Sequence, residues 1–75
     1  MLDVNLTDLG LGPVLLGTVY LAPVGSGNQI AVLADRQVVL RDGFTHVQTT
    51  TNGQTVVSAY PASRVIKVED LRPAP

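Results

Sequence analysis

Thr49-Thr50-Thr51-Asn52-Gly53-Gln54-Thr55-Val56-Val57 is the stretch on which the fold turns. Asn-Gly between two β-favouring runs is the strongest short-range signal for a two-residue hairpin, because a type I′ turn needs positive φ at both central residues. It joins a strand at Phe44–Thr51 to one at Gln54–Tyr60. One step upstream, Asp42-Gly43 carries the same signal and predicts a third strand over Gln37–Arg41.

Further out, Asp35-Arg36 reads as a tight turn, with a strand over Gln29–Ala34 before it. Pro23-Val24-Gly25-Ser26-Gly27-Asn28 is a loop. A phosphate loop would need a Lys and a Ser or Thr after its last Gly, followed by a helix, so the plain loop reading stands. Val14–Ala22 is branched and aromatic, the pattern of a core strand. Downstream, Pro61-Ala62-Ser63 punctuates the chain, Arg64–Glu69 forms a last short strand, and residues 71–75 are a proline-capped tail.

The N-terminal residues 2–7 alternate. Leu2, Val4 and Leu6 share one face and Asp3, Asn5 and Thr7 the other, which is a strand pattern. A short helix through Leu2, Leu6 and Leu9 is the competing pattern. Gly10, Gly12 and Pro13 then break the chain. The expected organisation is an arm and hinge at 1–12, a small β-barrel at 13–70 and a tail at 71–75. Short strands in a meander, without a long helix, give an all-β class, and closure into a five-stranded barrel would remove exposed edges.

The run Ala59-Tyr60-Pro61-Ala62-Ser63-Arg64-Val65-Ile66-Lys67-Val68 resembles the end of an SH3 domain. In that family an aromatic and a Pro open one turn of 3₁₀-helix that delivers the last strand. The resemblance implies a five-stranded barrel of SH3-like or Sm-like kind. It does not carry the family's proline-rich ligand. Tyr20, Phe44 and Tyr60 are the only aromatics, too few for that groove. Val57-Ser58-Ala59-Tyr60-Pro61 is similar to the pore motif of plasmid-encoded type II dihydrofolate reductase, a short barrel that works as a tetramer. Val57, Tyr60 and Pro61 match; Ser58 and Ala59 stand where that family has the Gln and Ile that line the pore.

Composition narrows the function classes. Of 75 residues, 45% are apolar and only 15% charged, against about 25% in typical domains. Such surface commonly marks an interface. There is no Cys and a single His, so neither a disulfide nor a zinc site can staple so small a core. Association with other chains is the remaining staple. A net charge of −1 gives no footprint for duplex nucleic acid or an anionic membrane. Met1-Leu2-Asp3 lacks the basic start of a signal peptide, and no apolar run reaches the length of a membrane span. A soluble protein made in a cytoplasm is expected, a virion being its destination if the partner lattice is a capsid.

No nucleophile–base–orienter set is visible. His46 reads as a surface strand residue, with Asp42 and Thr49–Thr51 near it in no recognised spacing. No catalytic residue, metal ligand or cofactor is expected. Three function classes follow. The first is a non-enzymatic structural protein that associates with itself or a larger lattice, such as a capsid decoration or connector subunit, with Leu2, Val4 and Leu6 as its interface. The second is an oligomer binding a small anionic ligand such as a nucleotide, with Arg36, Arg41, Tyr60 and Arg64 as candidates, since Arg makes paired hydrogen bonds to phosphate. The third is a reductase of the type just described.

Overall fold

A computed structural model describes residues 4–74. The protein is all-β: five strands, β1 (Leu15–Leu21), β2 (Ala31–Arg41), β3 (Phe44–Thr51), β4 (Gln54–Pro61) and β5 (Val65–Pro73), form one antiparallel sheet in the order β4-β3-β2-β1-β5. Single 3₁₀ turns at Leu6–Leu9 and Ala62–Arg64 complete it. No helix among the described residues is long and apolar enough to cross a membrane.

Both hairpins form where the sequence places them. Asp42 and Gly43 hold φ of 52° and 79°, Asn52 and Gly53 hold 53° and 76°, the paired positive values of a type I′ turn. The 3₁₀ turn expected after Tyr60-Pro61 is also present and leads into β5.

Four expectations are corrected, the first three of them in the sheet. Asp35-Arg36 is not a turn: β2 runs unbroken through it, and Asp35, with φ 53°, sits where the β1–β2 register slips between Gly17 and Val19. A positive φ at a single residue inserts a β-bulge as readily as it starts a turn. The same device recurs on the other side of β1, where Asp70, with φ 57°, marks the slip opposite Leu16–Thr18. That bulge carries β5 on to Pro73, so residues 71–73 of the expected tail are strand. Thirdly, the ladder does not close into a barrel, since β4 and β5 are its two edges.

The sheet nonetheless wraps one core. Val19, Leu21, Val38 and Val47 are buried together, and Leu15, Leu33, Tyr60, Val65 and Val68 pack against them, drawing both edge strands toward one centre. Gly17 permits this close approach. A Cβ there would lie 3.0 Å from Leu71 Cδ2 and 3.2 Å from the Glu69 carbonyl oxygen.

Neighbouring residues on a strand face opposite ways, yet Val38 and Val39 are both buried. The second face is covered by the N-terminal segment. The Leu6–Leu9 turn lies against β2 and β3, Leu6 is 1% exposed, and its N–H donates to Gln48 Oε1 at 2.8 Å. The expected strand over residues 2–7 is thus corrected at its C-terminal end, where Leu6 starts a 3₁₀ turn and serves the chain's own sheet. Leu2 lies outside the described residues.

Candidate functional site

The four residues named as candidates for an anion lie on three elements: Arg36 and Arg41 on β2, Tyr60 on β4 and Arg64 in the second 3₁₀ turn. Arg36 donates from Nη1 to the Ala34 carbonyl at 2.8 Å. Arg41, five residues along β2 and so about 16 Å away, donates to Asp42 Oδ2 at 3.2 Å and to the Leu11 carbonyl at 2.9 Å, tying the hinge to the sheet. Tyr60 packs on the core, and Arg64 belongs to the second 3₁₀ turn. The Nε atoms of Arg36 and Arg64 are buried without a partner.

Two shallow depressions meet at Gln37 and Gln48, which stand opposite each other on β2 and β3. One, about 460 Å³, is bounded by Asn5, Thr7 and Gly12 of the N-terminal segment. The other, about 310 Å³, is bounded by Leu16, Asp35, Arg36 and Thr50. Asp35 is ion-paired with Arg72 at 2.9 Å, a bridge from β5 to β2 across β1. The polar lining is amide and hydroxyl with the Asp35 carboxylate and the Arg36 guanidinium, chemistry that can orient a ligand by hydrogen bonding. Among the described residues no three His, Cys, Asp or Glu side chains group as metal ligands. His46 lies 6.4 Å from the Phe44 ring, with Ala59 opposite it on β4.

One constellation was not anticipated. Tyr20 pairs with Lys67 and Thr18 with Glu69 across β1 and β5. Lys67 Nζ sits 4.6 Å from the Tyr20 ring centroid and 3.3 Å from Glu69 Oε1. The Tyr20 hydroxyl donates to the Glu69 carboxylate, which raises the phenol pKa above its ordinary value. The same bond, with the Lys67 charge, lowers the Glu69 pKa. Only the alternate spacing of Lys67 and Glu69 is visible in the sequence; the third partner lies 47 residues from Lys67 and arrives by strand pairing.

The β4 edge is the most distinctive surface. Residues 43–63 contain no Asp, Glu, Lys or Arg, so the whole β3–β4 hairpin is free of carboxylates, ammonium groups and guanidinium groups. A two-residue turn makes Thr51 and Gln54 a hydrogen-bonded pair. Val56, Ser58 and Tyr60 therefore direct their backbone groups to β3, and Thr55, Val57 and Ala59 direct theirs outward. Two bonds agree with this phase: Ala62 N–H donates to the Gly43 carbonyl at 2.8 Å, and the outward Thr55 carbonyl accepts from Val4 N–H at 2.9 Å. Val4, itself 40% exposed, occupies one end of the edge, and Pro61, which has no N–H, ends the other. Of the expected interface, then, Leu6 is spent inside the chain and Val4 caps an edge.

No family model matches the sequence, no curated protein is similar to it, and no solved structure matches it.

Proposed function

We propose that this chain is a non-enzymatic structural protein whose work is to assemble with copies of itself and with a larger protein lattice, a capsid decoration or connector subunit being the concrete form. The observation that carries the reading is the open sheet, which ends at a strand with outward backbone groups and no charged side chain. Natural proteins guard exposed edges with Lys, bulges or covering segments. β5 is guarded by Lys67, Glu69, Asp70 and Arg72 and by its bulge, whereas β4 between Val57 and Ala59 carries none of these. A core of six buried apolar residues among those described is also small, so burial against a partner adds a useful fraction of the total stability. Native mass spectrometry tests this. The expected result is a multiple of the 7.9 kDa chain mass; a monomer at every concentration and no co-purifying protein overturns it.

A second reading, an oligomer that binds a small anionic ligand, draws on the unpartnered Arg36 Nε beside the 310 Å³ depression. In that case nucleotide titration would yield saturable binding lost in Arg36→Gln. The reductase reading rests on Val57, Tyr60 and Pro61 alone. Dihydrofolate-dependent oxidation of a reduced nicotinamide, abolished by Tyr60→Phe, would establish it.

A further inference from the structure

Resting on the assembly reading, we infer that the partner at the β4 edge is a second copy of this chain, joined β4 to β4 about a two-fold axis through Ser58.

The register follows from what the edge leaves open. Thr55 is engaged by the N-terminal segment and Pro61 cannot donate. Outward groups remain at Val57 and Ala59, two residues apart. Antiparallel pairing centred on Ser58 sets Val57 of one copy opposite Ala59 of the other. Each such pair exchanges both N–H···O=C bonds, so the two-fold yields four bonds from the open groups, and Thr55 comes opposite Pro61, which has no N–H to compete for the carbonyl that Val4 holds. A pairing centred on Val57 would set Thr55 opposite Ala59 and compete with Val4 for the Thr55 carbonyl.

Side chains fit the same axis. Val56, 39% exposed, comes opposite Tyr60 of the other copy, an aromatic and β-branched pair of the kind that stabilises sheets. An isologous contact brings each residue near its own copy, so a charged side chain at the axis would face its like. Residues 54–61 carry no such charge. Tyr60 and Val47, Ser58's partner on β3, belong to the core side of the sheet, so the two cores become continuous beneath one ten-stranded sheet. This is strand addition in which host and guest strand are the same sequence.

The test uses two variants of the full chain. In Ala59→Pro the lost N–H points away from β3, and proline is tolerated at such edge positions, so the internal ladder is retained. It deletes two of the four bonds, and self-association is expected to weaken by roughly tenfold or more in sedimentation equilibrium, with the circular dichroism spectrum unchanged. In Ser58→Cys the two thiols meet at a non-hydrogen-bonded pair whose Cα atoms are about 4.5 Å apart, within the about 4.4–6.8 Å a disulfide spans. Mild oxidation should therefore give a covalent dimer in high yield, and a Ser63→Cys control little. Should Ala59→Pro fail to fold, the Ser58→Cys result decides alone. An oligomer whose mass survives Ala59→Pro and whose Ser58→Cys form does not cross-link overturns the β4 axis and leaves the assembly reading standing. A wild-type chain that is monomeric throughout, or that binds only a different protein along β4, overturns the second copy as partner.

Discussion

Four described residues other than glycine hold positive φ: Asp35, Asp42, Asn52 and Asp70. All are Asp or Asn, whose short polar side chains bond locally and so tolerate the left-handed region better than other L-residues. Two open hairpins and two make bulges beside β1, so one residue chemistry turns the chain in one place and bends it in another. Gly53 follows Asn52 at φ 76°. A β-branched side chain there collides with the backbone, and Gly53→Val should cost about 1–2 kcal/mol or more. A lower thermal midpoint by circular dichroism checks this; an unchanged midpoint would mean that the turn has another conformation.

At the scale of elements, the N-terminal segment has become part of the sheet's second face. Leu6→Ala opens a cavity where the N-terminal turn lies against β2 and β3 and should destabilise by about 2–5 kcal/mol. Deleting residues 1–9 uncovers the same site and removes the Val4 bond to Thr55. Chemical denaturation of both variants should therefore show lower midpoints, and equal stability would show the segment to be detachable. The β1–β5 pair carries a pH dependence through Tyr20, Lys67 and Glu69. The folded Glu69 pKa is lowered, so its contribution is present above the unfolded value, roughly 4.3, and is lost as pH falls through the folded value. The Tyr20 pKa is raised, so its contribution is present below the unfolded value, about 10, and is lost as pH rises through the folded value. The stability gap between wild type and Glu69→Gln should accordingly be level near neutrality and close on acidification. A gap that persists in acid would place the effect elsewhere.

For the whole molecule, the distribution of charge matters more than its total. Ion pairs lie at Arg41–Asp42, Lys67–Glu69 and Arg72–Asp35, all off the β3–β4 hairpin. Salt screens contacts between exposed charges and leaves apolar and backbone contacts in place. Assembly through β4 should therefore survive high salt, and sedimentation at low and high ionic strength should give one mass. Dissociation at high salt would move the contact to the charged β5 edge.

Local chemistry made much of this legible. Asn52-Gly53 and Asp42-Gly43 act through φ preferences that no distant residue alters, so both hairpins, three strand positions and the all-β class follow from the sequence alone. The 3₁₀ turn after Tyr60-Pro61 is implied by the likeness of residues 59–68 to the end of an SH3 domain. What only the tertiary structure decided depends on neighbours far along the chain. Asp35 favours a turn and a bulge equally, and β1 at Gly17 selects the bulge. Leu6 suits a strand as well as a 3₁₀ turn, and the open second face above Val39, with Gln48 to receive its N–H, selects the turn. Arg36 and Arg41 share β2 and Tyr60 lies on β4, and convergence of such residues from several copies is a property of an assembly. The edge at Val57–Ala59 exists only because the sheet stops at β4: whether a strand's outward groups are paired is a property of the ladder, and no residue in the strand encodes it by itself.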